Sequence, residues 1–259
     1  MPDVRGAAPA RSTRVFVNAR FLTQPVTGVQ RYGRELVKAL DRLLARGFDG
    51  AGRYAFVLLV PRASRADLDG LALTHLEVRR VGRLRGHLWE QLELPVYARG
   101  GWLLSPGAVG PLVKRRQIVT IHDASVFAVP QGFSVPFRMW YRAVGRGLGR
   151  TVQRVVTPSA FSSRELRRYC RIDERRLRVI PPGVEHIRSV APDYGVLDRH
   201  GLDGRPFVLV VGNLNPNKNF HGVAAAVRLL EGRDFHVVVA GGGNPRVYTR
   251  VDDGALGNV

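Results

Sequence analysis

Four short stretches carry the residue types from which a phosphate or other ligand site can be built. The first runs Val208-Leu209-Val210-Val211-Gly212-Asn213-Leu214-Asn215-Pro216-Asn217-Lys218-Asn219. A run of β-branched apolar residues stops at a glycine, and a polar turn with one lysine leads into a helix read over 220–230. Asn219 is placed to cap that helix, because its side chain can accept from first-turn N–H groups. A strand feeding a helix through such a turn sets unpaired N–H groups beside a cation, which is a place for a phosphate. The spacing is not that of the common nucleotide loops: neither G-x-x-x-x-G-K-[ST] nor G-x-G-x-x-G occurs here. An ordinary βα turn with a solvated lysine is the competing reading.

The other three stretches share the same logic. Ile118 to Asp123 is an apolar strand ending in His122-Asp123, and open parallel sheets bind ligands off the carboxyl edge of their strands. Asp123 at that place can also simply cap the loop. Thr27-Gly28-Val29-Gln30-Arg31-Tyr32 opens a helix read over 29–46, with Thr27 as N-cap and Gly28 leaving the backbone open to a ligand. Gly241-Gly242-Gly243 follows a strand read over 235–240 and suits close approach by a nucleotide. The remaining histidines, at 75, 87, 186, 200, 221 and 236, lack ligand spacing with His122, so no metal site is expected.

These residues need a scaffold of strands alternating with helices, and the chain supplies one. Strands are read at 14–18, 54–60, 73–79, 102–105, 118–121, 154–157, 178–180 and 207–211. In the first helix Val29, Tyr32, Leu36, Leu40 and Leu43 recur at three- and four-residue steps. A second helix spans 87–95 and ends near Pro95, with Leu88, Trp89 and Leu92 expected to pack on the sheet. A third spans 137–150, where Phe137, Trp140, Tyr141, Val144 and Leu148 form one stripe and Arg138, Arg142, Arg146 and Arg150 a basic stripe beside it. Ser159 is an N-cap for the helix after 154–157. Residues 1–13 are expected to be a loose tail and 184–205 a linker.

At 259 residues the chain has room for one or two domains. Its apolar runs are too short to cross a bilayer, no apolar leader is seen at the start, and Cys170 alone rules out an internal disulfide. These features lead to an expectation of a cytoplasmic protein, peripheral at the inner face of the membrane. The formal net charge is +19. Lysine occurs only at 38, 114 and 218, so the other 37 of the 40 basic residues are arginine, spread along the whole chain. Such a surface attracts anionic substrates, anionic lipid and nucleic acid.

The motifs resemble glycosyltransferase family 4, a GT-B-fold family. Gly212, Leu214, Lys218 and Asn219 match the start of its C-terminal lobe, although Asn213 stands where many members have arginine. Thr-Gly-x-x-Arg-Tyr, Leu-Trp-Glu-Gln-Leu-x-Leu-Pro, the His-Asp pair, the Val-Thr-Pro-Ser turn and Val-Ile-Pro-Pro-Gly-Val also recur there. The resemblance implies an α/β, GT-B-like architecture of two Rossmann-like parallel-sheet lobes: 14–183 on the acceptor side, then 206–259 as an incomplete start of the nucleotide-sugar-binding lobe. It implies hexose transfer, mannosyl favoured, from a nucleoside-diphosphate sugar to a glycan or lipid-linked acceptor, with retention and without a metal cofactor. His122 and Asp123 would be catalytic. Gly28, Arg31 and Tyr32 would bind substrate, Gly212, Asn213, Lys218 and Asn219 the donor diphosphate, and Gly241, Gly242 and Gly243 the nucleotide. The family's paired glutamates have no counterpart in these 259 residues, so the chain by itself is expected to be weak or inactive. The rival expectation is a non-catalytic basic protein that binds nucleic acid or anionic lipid. No nucleic-acid motif supports a specific nucleic-acid partner.

Overall fold

A computed structural model describes residues 12–48, 51–68, 70–212, 218–230 and 234–241. Two compact units are present, one of residues up to Ala124 with Ala143–Gly183, the other of Ser125–Arg142 with Val184 onward.

The first unit is organised on a seven-stranded sheet in the order β3-β2-β1-β4-β5-β6-β7, with every pairing parallel. The strands are β1 (Thr13–Asn18), β2 (Tyr54–Pro61), β3 (Glu77–Val81), β4 (Trp102–Ser105), β5 (Gln117–Thr120), β6 (Arg154–Thr157) and β7 (Leu177–Val179). Parallel strands need crossovers, and helices covering both faces make their central strands read as unbroken apolar runs. The chain steps outward from β1 to β3 and then returns to lay β4 on the other side of β1. The strand order therefore reverses between β1 and β4, the place off whose carboxyl ends open α/β sheets bind ligands.

Two cores sit on opposite faces. Against one packs the Gly28–Ala45 helix, with Val37 beside Val17, Leu58, Phe21 and Leu22. Its buried face is Gly33, Arg34, Val37 and Asp41, while Leu43 is exposed, so the expected stripe is rotated. The cause is Gly33: a Cβ there would lie 2.9 Å from the Phe21 ring, so the helix seats on its glycine. Asp41 accepts from the backbone N–H groups of Thr74, His75 and Leu76. Those bonds keep 74–76 out of the sheet, and β3 begins at Glu77 instead of 73.

The second core places Trp89 among Phe16, Val57, Leu59, Leu94 and Leu103. Its helical segment, 86–97, contains a π-helical turn at Trp89–Glu93, in which Leu94 N bonds to Trp89 O. The helix runs through Pro95, directly after the π-helical turn at Trp89–Glu93. A residue pair five apart, Trp89 and Leu94, faces inward. Of the three expected packers only Trp89 is buried; Leu88 and Leu92 are exposed.

In the second unit β8 (Phe207–Val211) pairs in parallel with β9 (His236–Ala240), joined through the Phe220–Arg228 helix. The stretch expected as a linker carries two short helices, Glu185–Arg188 and Gly195–Arg199. In the Val135–Thr151 helix half of the basic stripe is used internally: Arg138 donates to Pro130 O, and Arg142 to the carbonyls of Val126 and Phe127, while Arg146 and Arg150 are exposed. Cys170 is buried, and burial pushes its thiol up to about 11, so it is an inert core residue at neutral pH.

Candidate functional site

At the β1/β4 reversal the chain gathers polar groups from elements far apart in sequence. Asn18 ends β1, Ser105 ends β4, and Glu90 comes from the π-helical turn. Glu90 Oε1 accepts from Asn18 Nδ2 at 2.7 Å, and Glu90 Oε2 lies 3.0 Å from Arg20 Nε and 3.2 Å from His87 Nδ1. Ser105 Oγ donates to Gln117 Oε1 at 3.0 Å. Asn18, Arg20, Glu90, Ser105 and Gln117 are all buried. Burial by itself would raise the Glu90 pKa. The Arg20 charge and hydrogen bonds from His87 and Asn18 outweigh it and hold the carboxyl below its ordinary range. This ionised cluster ties the loop after β1 to the 86–97 segment.

Three of the residues singled out from sequence, His122, Asp123 and Tyr32, come together just past β5. His122 follows β5. Its Nε2 is 3.3 Å from Pro106 O, and its ring meets Tyr32 edge-on, with centroids 4.9 Å apart and planes at 85°. A carbonyl can only accept, so Nε2 carries the proton, and in the neutral ring Nδ1 is left as an acceptor. Nδ1 has no hydrogen-bond partner among the described residues. Burial pushes the His122 pKa down, against smaller opposing effects of Pro106 O and the Asp123 charge, so the ring favours its neutral form. Asp123 is exposed beside it.

Gly28 opens the first helix, whose start is braced by Thr27 N donating to Gln30 Oε1 at 3.2 Å and Gln30 Nε2 to Gln24 Oε1 at 3.0 Å. A Cβ on Gly28 would meet nothing within 4 Å, and its φ is not in the left-handed region. The fold itself therefore makes no demand for glycine at 28. Gly28→Ala is expected to leave the unfolding temperature unchanged, and to weaken substrate binding or turnover if a ligand approaches that backbone as the family resemblance implies. Equal kinetics in the variant would show that nothing approaches that backbone. Arg31 is exposed, with Glu35 Oε1 4.0 Å from its Nη1. It is the least constrained of the group.

The second unit holds the other turn. Gly212 follows β8, and the Lys218 side chain lies across it: a Cβ on Gly212 would be 3.5 Å from Lys218 Cγ and Cδ. Asn219 occupies the N-cap position of the Phe220–Arg228 helix, but in the left-handed conformation and without a side-chain cap bond. Its side chain folds over Gly222 instead, and its carbonyl accepts from Gly222 N and Val223 N. The expected side-chain cap is thus replaced by a backbone turn, and the first N–H groups of the helix are not taken by Asn219's side chain. Gly241 follows β9 and is exposed. Asn213, Gly242 and Gly243 lie outside the described residues.

Sequence reading missed Arg20, Glu90, Asn18, Ser105 and Gln117. Asn18 and Glu90 are 72 positions apart, and no local spacing links them.

The family model described as Glycosyltransferase Family 4 matches residues 26–188. The chain is similar to the O-antigen chain mannosyltransferase B of Escherichia coli, at 27% identity over 226 residues, covering 80% of this chain and 57% of that protein. It is also similar to the crystal structure of a glycosyltransferase from Rickettsia africae ESF-5, with a TM-score of 0.52 and 13% identity, covering 89% of this chain and 60% of the other. The chain therefore spans less than two thirds of the length of either relative.

Proposed function

Since the chain belongs to Glycosyltransferase Family 4, we propose that it forms part of an enzyme moving a hexose, mannose by preference, from a nucleoside-diphosphate sugar to a hydroxyl of a glycan or lipid-linked acceptor. Support for mannose and for polysaccharide synthesis comes from the Escherichia coli relative, an O-antigen chain mannosyltransferase.

The reaction breaks the bond between the sugar's anomeric carbon and the diphosphate oxygen, which keeps the electron pair. The acceptor oxygen bonds to that carbon, and its proton passes to the departing diphosphate. In a same-face attack the anomeric configuration is retained. The main demand is to stabilise charge growing on the diphosphate, and preorganised N–H groups and cations meet it without reorganising. We assign that work to Lys218 with the N–H groups around Gly212 and at the start of the Phe220–Arg228 helix. On the first unit Gly28 admits a substrate group to the backbone, and Arg31 and Asp123 flank it. His122 contacts the sugar, with Tyr32 fixing the ring from its edge.

The observation that carries this reading is the state of His122: a half-buried neutral imidazole, tied through Nε2, with Nδ1 left to accept a sugar hydroxyl beside the point where the strand order reverses. The reading is tested at the other turn. Lys218→Ala is expected to weaken nucleoside-diphosphate binding by calorimetry and to cut transfer by about 10²-fold or more, the scale of losing one charge-stabilising donor. Wild-type affinity in that variant would remove the assignment. Transfer is measured in a protein of the relatives' length carrying this sequence. We propose that residues 1–259 alone transfer sugar weakly or not at all, and robust turnover by them would overturn that.

A further inference from the structure

The buried cluster at the β1/β4 reversal leaves one of its members unfinished. Arg20 is 5% exposed, and among the described residues its one charge partner is Glu90, whose Oε2 lies 3.0 Å from Nε but off the line of a hydrogen bond. Nε is sealed from solvent. Nη1 and Nη2 keep some contact with the outside and have no hydrogen-bond partner among the described residues. A guanidinium carries five N–H donors in a planar fork. Burying it with the fork open costs stability unless something else accepts. The tie between the loop after β1 and the 86–97 segment is already made by Asn18 Nδ2, which donates to Glu90 Oε1 at 2.7 Å.

The place of the fork and the charge beside it narrow what it accepts. The Arg20 backbone is held on both sides: its N–H donates to Asn18 Oδ1 at 3.2 Å, and its carbonyl accepts from Thr23 Oγ1 at 2.8 Å. Asn18 Nδ2 also lies 3.5 Å from Ser105 Oγ at the end of β4, and the next residue, Pro106, gives the carbonyl that His122 Nε2 meets. Contacts therefore run from His122, past the end of β4, to the Arg20–Glu90 pair, along the carboxyl edge where open parallel sheets take ligands. Glu90 is held ionised, so it balances the Arg20 charge. A further anion on the fork would leave a net negative charge in a buried place, which is costly. Uncharged oxygens fill the fork without that cost, and two hydroxyl oxygens on adjacent sugar carbons suit two Nη donors side by side.

We propose that Arg20 is a specificity residue for the acceptor: Nη1 and Nη2 donate to neighbouring hydroxyl oxygens of an uncharged sugar at the end of the acceptor glycan. That role rests on the transferase reading, to which it adds the group of the acceptor that is read and the residue that reads it. In the sheet β4 lies between β1 and β5. His122 follows β5 and holds the donor sugar, while Arg20 follows β1 and holds the acceptor. Glu90 acts through Arg20 as a positioning residue, by keeping the guanidinium charged and in place. A long side chain already fixed by burial loses little freedom on binding, so the contact is not spent on ordering it.

The test is calorimetry of the chain with two probes, mannotriose and inorganic phosphate, and with no donor present. The wild type is expected to bind mannotriose and to keep that binding when phosphate is added. Arg20→Lys leaves a charge opposite Glu90 and removes the fork, and it is expected to bind mannotriose at least tenfold more weakly. Arg20→Met/Glu90→Met removes both charges together and guards against a folding defect; it is expected to lose as much. In a protein of the relatives' length carrying this sequence, Arg20→Lys should raise KM for mannotriose at least tenfold and leave KM for the nucleoside-diphosphate sugar at its wild-type value. A merely loosened fold would not split the two. A wild type that ignores mannotriose would overturn the proposal. Wild-type affinity in either variant would also overturn it, since the fork would then hold only water. So would phosphate displacing mannotriose from the wild type, which would make the fork an anion site. If Lys218→Ala keeps its affinity for nucleoside diphosphate while Arg20→Lys loses mannotriose, the donor assignment falls and the sugar contact at Arg20 stands.

Discussion

His122→Ala is expected to lower sugar transfer by about 10²–10⁴-fold, the range spanned by a positioned proton-transfer or hydrogen-bonding group in a transition state. The fold should survive. The variant loses one hydrogen bond to Pro106 O, about 1 kcal/mol net, and one edge-on contact with Tyr32, about 0.5–1.5 kcal/mol. His122→Gln keeps a group able to donate to Pro106 O but not the imidazole Nδ1, so it should recover stability without recovering rate. The pH profile carries the sign. Because burial depresses the His122 pKa, the acceptor form persists as pH falls past the ordinary histidine value of 6.5. Activity dependent on it should fall only below that value, and the acid limb should vanish in His122→Gln. Turnover equal to wild type in both variants would take His122 out of the site. An acid inflection above 6.5 would contradict the neutral, buried ring.

Glu90→Ala is expected to be among the most damaging single changes to the fold. It leaves Arg20, at 5% exposure, as an uncompensated buried cation and removes the acceptor from Asn18. Breaking a buried pair by deleting one partner costs about 3–5 kcal/mol, a large part of the stability of an ordinary domain. Replacing both partners should cost less: Arg20→Met/Glu90→Met removes the charge and its counter-charge together, and the coupling appears as non-additivity in a double-mutant cycle. The acid response follows from the depressed carboxyl. A glutamate with a folded pKa below its ordinary 4.5 contributes stability that is fully present above 4.5 and is lost as pH falls through the lower folded value. Wild type and Glu90→Gln should therefore differ most near neutrality and converge in acid. A Glu90→Ala protein as stable as wild type, or a gap that widens on acidification, would show that the cluster is not an ionised pair. Since Glu90 holds the loop after β1, a folded double variant also separates stability from turnover.

Much of this molecule was legible in the order of its residues, and the reason is local. Strands of a doubly covered parallel sheet bury both faces, so they read as short apolar runs bounded by turns, as at 54–60. His122 was placed correctly at a carboxyl edge because the end of a strand and the residue after it are neighbours in sequence. Ser159 was read as an N-cap, and its side chain accepts from Ser162 N at 3.1 Å.

What tertiary structure alone decided are the contacts that join distant segments and the face a helix turns. The Asn18–Glu90 bond spans 72 residues, and Ser105–Gln117 joins two strands. Neither leaves a periodic trace. Leu88, Trp89 and Leu92 were all expected to pack on the sheet. A single π-helical turn widened the spacing to five, turned Trp89 and Glu90 inward and left the leucines in solvent. Pattern reading assumes a regular helix, and here the irregular turn determines both where the buried carboxylate sits and which face is left exposed.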